Sequence, residues 1–264
     1  MPSRRHLLAA ALALGLAAPA AADRAPIVAA ASDLQFAVEE IARAFTEETG
    51  QSVRLAFGST GNFARQIREG APFEIFMAAD EQFIFDLHRD GYTADEGMLY
   101  ALGRIVLMLP EGSPLAPDAT LGDLGVALED GRLTRFAIAN PEHAPYGMRA
   151  EEALRRAGLW DEIRPRLVLG ENVSQAAQFA LSGSTEGGII ALSLARAPAL
   201  DALGEHVLIP EDFHAPLLQR MVLIDGASPA AEAFFAYMSG EPAREIMRRY
   251  GFLLPGEEMR DHGS

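Results

Sequence analysis

The chain alternates short apolar runs with segments of helical periodicity, and this order constrains its fold more than any other feature. Ile27 to Ala31 is an apolar run of strand length, and Gly50 closes the segment that follows it. The apolar residues of that segment recur at spacings of three and four: Leu34, Ala37, Val38, Ile41 and Phe45. Strands that alternate with helices predict an α/β protein with mostly parallel sheets.

The same order continues along the chain. Further strands are predicted at residues 53–57, 74–78, 104–109, 135–139, 167–169, 188–192 and 218–224. Helices are predicted after most of them, and two more close the chain at about 229–238 and 243–250. The length of 264 residues fits one large domain or two modest ones.

Four of the predicted strand-to-helix junctions carry small or polar residues. They are Ser32, Ser59-Thr60, Tyr146-Gly147 and Asn172-Val173-Ser174. In an open α/β sheet, ligands bind at the carboxyl ends of the strands, where helix N-termini offer unpaired N–H groups to anions. Ser, Thr and Asn are also the ordinary N-cap residues. From the pattern alone, each junction is therefore either part of an anion site or a plain helix cap.

Composition removes several classes of protein. The chain has 22 basic residues, all of them Arg, against 37 acidic ones, for a net charge of −15, and it has no Cys. Without Cys there is no disulfide framework, zinc ribbon, thiol nucleophile or lipid-modified N-terminal Cys. An acidic chain lacks the basic face that nucleic acid requires. The six His form no HExxH motif, so the sequence predicts no metal site.

Residues 1–22 have the pattern of a secretory signal peptide. Arg4 and Arg5 form a positively charged start, an apolar stretch follows from Leu7 to Ala18, and small residues precede Asp23. The apolar stretch is short for a membrane span. We therefore expect an extracytoplasmic, periplasmic protein, exported by either the general or the twin-arginine route.

Several strings resemble the periplasmic molybdate-binding proteins of ABC importers. They are AAS at 30–32, FGSTGNFARQI at 57–67, GAPFEIFMAADE at 70–81, ANPEHAPYG at 139–147, ENV at 171–173 and RYGF at 249–252. Their order along residues 26–254 matches that family over nearly the whole mature chain.

This resemblance implies a two-lobed, type II periplasmic-binding fold, with mixed, mostly parallel sheets, helices on both faces and a ligand cleft between the lobes. The chain would cross between lobes near Gly103 and Arg220. The expected units are 1–22 as signal peptide, 23–103 plus 221–264 as lobe 1, and 104–220 as lobe 2.

The resemblance also implies a function. The protein would capture molybdate or tungstate and deliver it to a membrane ABC permease, without enzymatic activity, cofactor or metal site. We expect a monomer that neither inserts into a membrane nor binds nucleic acid.

The family's ligand contacts carry over to five positions of this chain. Ser32 would bind through its hydroxyl and amide, Ser59 and Thr60 share the second hydroxyl position, Tyr146 would use its phenol, and Val173 its backbone amide. Behind these contacts, Asp33 and Asn172 would support the pocket.

Two positions depart from the family pattern. Asp33 stands where some members have an Asn that touches the ligand, and an ionised carboxylate accepts hydrogen bonds without donating any. Either this side chain turns away and favours the start of the next helix, or the pocket prefers a different or protonated ligand. Ala191 stands where other members have a Tyr, for which Tyr146 would compensate.

A second class of function remains open at this point. An exported α/β enzyme would use the same junctions to hold a phosphate- or carboxylate-bearing substrate. Such an enzyme needs a nucleophile or general base at a junction. Asp33 is the candidate, and the sequence gives it no evident His or Lys partner.

Overall fold

The protein consists of two lobes, each built on a five-stranded sheet, in a computed structural model that describes residues 24–257. The predicted signal peptide lies outside the described residues. In lobe 1 the sheet order is β2-β1-β3-β10-β4. Its strands are β1 (Ile27–Ala31), β2 (Arg54–Gly58), β3 (Ile75–Ala78), β4 (Met98–Gly103) and β10 (Leu217–Leu223).

Lobe 2 repeats this arrangement with its own strands, in the order β7-β6-β8-β5-β9. They are β5 (Ile105–Pro110), β6 (Phe136–Ala139), β7 (Leu167–Gly170), β8 (Gly188–Ala191) and β9 (Gly204–Leu208). In each sheet the first three strands pair in parallel and the last two pairings are antiparallel. The predicted α/β, two-lobed fold is confirmed, with sheets that are evenly mixed.

Helices cover both faces of the sheets. Those of lobe 1 are α1 (Gln35–Thr49), α2 (Thr60–Arg68), α3 (Gln82–Arg89), α10 (Pro229–Tyr237) and α11 (Glu241–Arg249). Those of lobe 2 are α4 (Gly122–Asp130), α5 (Pro145–Arg156), α6 (Trp160–Ile163), α7 (Val173–Leu181), α8 (Leu192–Ala195) and α9 (Pro198–Asp201). Short 3₁₀ turns lie at Ser32–Leu34, Arg164–Arg166 and Glu211–Phe213. None of the helices within residues 24–257 combines the length and apolar character that a membrane span requires.

The helix after β1 shows how the sequence pattern sets the packing. Its predicted apolar stripe is buried, and Gly50 ends it with a left-handed φ of 72°, a conformation that glycine adopts without steric cost. Along β1, Val28 and Ala30 pack into the main core, while Ala29 packs on the other face beside Phe63. Both faces of the strand are covered, which explains its continuous apolar run.

The chain passes between the lobes twice. The first passage lies between Gly103, at the end of β4, and Ile105, at the start of β5. The second lies between Leu208 and Leu217. Arg220, the predicted position of this passage, lies inside β10, where it pairs with both β3 and β4. Lobe 1 therefore resumes at the start of β10, because the whole strand is held between two strands of that lobe.

Two edge strands, β4 and β9, and four helices, α4, α6, α8 and α9, lay outside the sequence prediction. The residues of β9 alternate little and are largely half-buried or exposed, so they lack a strong strand pattern. Strand β4 follows a loop of turn residues and ends at the lobe boundary. Helix α4 has only a narrow buried stripe, Leu124, Ala127 and Leu128.

Candidate functional site

The carboxyl ends of the parallel strands of both lobes meet at a small cleft that is partly open to solvent. Seven of the residues lining it are those that the sequence singled out: Ser32, Asp33, Ser59, Thr60, Tyr146, Asn172 and Val173. Ser32, Asp33, Ser59 and Thr60 follow β1 and β2, and the other three follow β6 and β7. The sheet topology thus brings four junctions, distant in sequence, to one place.

Ser32 joins the two lobes across the cleft. Its Oγ accepts a hydrogen bond from the backbone N of Ser174 at 3.2 Å, and its carbonyl oxygen accepts one from Ser174 Oγ at 2.8 Å. Because the Ser32 hydroxyl acts as an acceptor in this pair, its own proton is available to a ligand.

Ser59 is also directed at the opposite lobe. It precedes α2 without capping the helix through its side chain, and its Oγ lies 2.9 Å from Nδ1 of His143. With the proton on Nδ1, the imidazole donates and leaves the Ser59 hydroxyl proton available to a ligand. Thr60 Oγ1 accepts from the backbone N of Ala79 at 3.1 Å, so its hydroxyl also retains a proton to donate.

The start of α2 packs closely against lobe 2. The backbone N of Gly61 donates to the carbonyl oxygen of His143 at 2.9 Å. A Cβ at Gly61 would lie 2.7 Å from that oxygen, so the approach of the two backbones requires glycine. His143 lies in the loop before α5, and its ring contacts Ser59.

The start of α7 separates a capping residue from a ligand-facing one. Asn172 caps the helix, since its Oδ1 accepts from the backbone N of Gln175 at 3.1 Å. The N–H of Ser174 is engaged by Ser32. Among the described residues of this turn, the amide of Val173 remains as a donor beside the cleft. The plain-cap interpretation therefore holds for Asn172 and not for Ser59.

A buried polar network lies behind the cleft. Oδ2 of Asp33 accepts from the Tyr146 hydroxyl at 3.0 Å and from Gln219 Nε2 at 2.7 Å. Gln219 Nε2 also donates to the Tyr146 hydroxyl at 3.0 Å, and its Oε1 accepts from the Tyr100 hydroxyl at 2.8 Å. Gly103 lies so close that a Cβ there would meet the Tyr146 hydroxyl. Asp33 thus lines the cleft, and its carboxyl bonds into the buried network; the residue is 1% exposed.

This geometry bears on two predictions. The Tyr146 phenol donates to Asp33, so its predicted role as a direct ligand donor stays a prediction. Sequence reasoning missed Gln219 and Tyr100. An amide inside the apolar run of β10 was the signal for Gln219, because a buried amide needs hydrogen-bond partners.

Burial controls the protonation of the network. Burial raises the pKa of Asp33 to about 6, against the lowering effect of the hydrogen bonds from Gln219 and Tyr146. Burial, together with the nearby Asp33 charge, raises the pKa of Tyr146 and of Tyr100 well above the ordinary value. Both phenols therefore remain protonated donors at neutral pH, while the carboxyl is neutralised more readily than an exposed one.

Polar and charged side chains outside the residues that line the cleft also connect the two lobes. Arg149 pairs with Asp80 of lobe 1 at 2.7 Å and with Glu152 at 2.5 Å, and Asn62 bonds to Glu171 across the opening. The residues lining the cleft include no Arg. Within residues 24–257, no group of three or more His, Asp or Glu side chains is arranged to hold a metal ion. The site is thus suited to hold a small anion by neutral hydroxyl and amide donors.

Comparisons with known proteins agree with this geometry. Residues 27–253 match the family described as bacterial extracellular solute-binding protein. The molybdate-binding protein ModA of Rhodobacter capsulatus is 37% identical over 253 residues, which cover 95% of this chain and 96% of that protein. Its namesake from Azotobacter vinelandii is 35% identical over 250 residues, with 94% and 97% covered.

A solved structure extends the likeness to three dimensions. The periplasmic molybdate-binding protein of Azotobacter vinelandii matches with a TM-score of 0.77 and 29% identity, covering 88% of this chain and 100% of that one. These relatives are binding proteins, so the alternative of an exported enzyme falls away. The chain belongs to the bacterial extracellular solute-binding protein family.

Proposed function

We propose that this protein captures molybdate or tungstate outside the cytoplasm and delivers it to a membrane ABC permease. The observation that carries the proposal is the convergence of neutral donors from both lobes on one cleft whose lining includes no Arg. The similarity to molybdate-binding proteins over nearly the whole chain supports the same ligand.

The donors belong to both walls of the cleft. The hydroxyls of Ser32, Ser59 and Thr60 bind the oxyanion from lobe 1, and the amide of Val173 binds it from lobe 2. Tyr146 closes the lobe 2 side. A fully deprotonated oxyanion accepts hydrogen bonds at every oxygen, so a pocket of donors matches it and no cofactor is needed.

Delivery requires that the cleft open and close. The two inter-lobe passages, at 103–105 and 209–216, form the hinge about which the lobes rotate. Cross-cleft bonds such as Gly61 to His143 form when the lobes meet and stabilise the closed form. We further propose that residues 1–22 direct export to the periplasm and that the mature chain acts as a monomer without inserting into the bilayer.

Calorimetric titration of the purified mature protein with molybdate, tungstate, sulfate and phosphate tests this function. We expect molybdate and tungstate to bind with micromolar or tighter affinity, and the other two anions to bind more weakly. The absence of measurable molybdate and tungstate binding would contradict the proposal.

A further inference from the structure

The two oxygens of the Asp33 carboxyl have different surroundings. Oδ2 accepts two hydrogen bonds, from Tyr146 and Gln219. Oδ1 is buried and has no hydrogen-bond partner among the described residues. Asp33 itself lines the cleft beside Ser32. One carboxyl oxygen is therefore held in place by the network, and the other is a buried, unused polar atom of a residue that lines the cleft.

The groups around Asp33 supply neutral donors and no cation. The titratable groups that face it are the phenols of Tyr146, on α5, and Tyr100, on β4. From α8, the Ser193 hydroxyl donates to the Asp33 carbonyl oxygen at 2.8 Å, and from β10 comes the amide of Gln219. The imidazole of His143 contacts Ser59. A charge on Asp33 thus has no ion pair in the described structure, and its raised pKa of about 6 reflects this burial.

An oxyanion in the same cleft changes this balance further. A carboxylate and a deprotonated oxyanion are both acceptors, so they repel each other unless a proton lies between them. A proton on Oδ1 leaves both bonds to Oδ2 intact, removes the charge and turns the unused oxygen into a donor. The carboxyl then presents to the ligand the same kind of group as the neighbouring Ser32 hydroxyl.

We propose that Asp33 is a specificity-determining residue that binds the oxyanion as a neutral carboxylic acid, through a proton on Oδ1, so that capture of a fully deprotonated oxyanion takes up one proton from solvent. This inference rests on the proposed function. The proton moves from water to Oδ1 and stays in the hydrogen bond between Oδ1 and a ligand oxygen. Release of the oxyanion at higher pH returns that proton to solvent.

The test is calorimetric titration of the mature protein with molybdate in two buffers of different ionisation enthalpy. We expect the wild-type chain to take up close to one proton per molybdate above about pH 7, with an affinity that falls about tenfold for each unit of rising pH. In Asp33→Asn the amide oxygen keeps the bonds of Oδ2 and the NH₂ group donates to the ligand. That variant should take up no proton and bind with an affinity that does not change over this range.

Asp161→Asn, the same change at an exposed carboxyl of lobe 2, is the matched control and should behave as the wild type does. A wild-type chain that binds molybdate without proton uptake and with flat affinity would overturn this inference and leave the proposed function standing. The proton count of the wild-type chain decides the matter even if Asp33→Asn does not fold. Failure of both chains to bind molybdate would overturn the proposed function itself.

Discussion

The two lobes share one strand order but contribute different chemistry to the cleft. In lobe 1, β1 and β2 lead almost directly into helical turns, so the cleft receives side chains from the junction itself, Ser32 and Ser59. In lobe 2, residues 140–144 separate β6 from α5 and residues 171–172 separate β7 from α7, and Tyr146 and Val173 line the cleft from the starts of these two helices.

The difference between the lobes shows what topology and loop length each determine. Because both sheets have the same strand order, two helix starts from each lobe lie at the edge that faces the cleft. The tight junctions of lobe 1 fix hydroxyls and a carboxyl rigidly to the sheet. From lobe 2, His143 of the longer loop bonds to Ser59, and Tyr146 at the start of α5 bonds to Asp33. Lobe 1 thus supplies most of the polar side chains that line the cleft, and groups of lobe 2 hold them in position.

Among the predicted changes, removing the charge of Asp33 from the lobe 1 side of the cleft should change the free energy of unfolding the most. Burial raises the pKa of Asp33 from its ordinary value of 3.8 to about 6, so the ionised carboxyl destabilises the fold by an amount that grows as the pH rises from 3.8 through about 6. We expect Asp33→Asn to raise the free energy of unfolding of the ligand-free chain by about 3 kcal/mol at neutral pH. The gain should shrink as the pH falls from about 6 toward 3.8, where the wild-type carboxyl is protonated in the folded state.

Denaturant unfolding of both chains at two pH values measures this difference. Asp161→Asn should show no comparable gain. If Asp33→Asn were less stable than the wild type at neutral pH, the buried charge would stabilise the fold. The claim that lobe 1 holds an unfavourable buried charge would then be wrong.

Ser32→Ala should cause the largest loss of ligand affinity among single hydroxyl deletions. It removes a donor to a charged ligand and an acceptor for Ser174, a loss of about 1.5 to 3 kcal/mol, which corresponds to a molybdate affinity lower by roughly one to two orders of magnitude. Calorimetry with Ser182→Ala, an exposed hydroxyl of lobe 2, provides the control. Unchanged affinity in Ser32→Ala would remove this residue from the pocket.

Tyr146→Phe should have a smaller effect on affinity than Ser32→Ala. Its hydroxyl donates to Asp33, so the deletion removes a supporting bond worth about 1 kcal/mol. The loss of that bond should also raise the pKa of Asp33, since the bond lowers it. Titration with molybdate compares the loss of affinity in Tyr146→Phe with the loss in Ser32→Ala. Tyr92→Phe is the control. A loss greater than that of Ser32→Ala would mean that the phenol contacts the ligand directly.

The rim should matter least. Asn62, which is half-buried, bonds to the exposed Glu171 across the opening of the cleft. We expect Asn62→Ala to lower molybdate affinity by less than about 1 kcal/mol, because water competes for such bonds. A loss as large as that of Ser32→Ala would show that the rim, rather than the buried contacts, holds the lobes together.

Individual residues show how far the sequence reaches. The stripe of α1 and its end at Gly50 follow from local spacing, and the junction residues Ser32 and Ser59 follow from their positions after apolar runs. The family strings add the order of the lobes. The sequence prediction put the second passage between the lobes at Arg220, after the point where the chain re-enters lobe 1. The apolar pattern of β10 predicts a strand but does not say which sheet holds it.

The sequence by itself determined the alternation of strands and helices, the polar junctions and the neutral character of their donors. Only the tertiary structure decided which oxygen of Asp33 is held and which is unused. That choice depends on Tyr146, 113 residues away, and on Gln219, 186 residues away. Local propensity carries no information about such partners. They meet because a strand from the end of the chain returns to the first sheet and because the lobes close over the cleft.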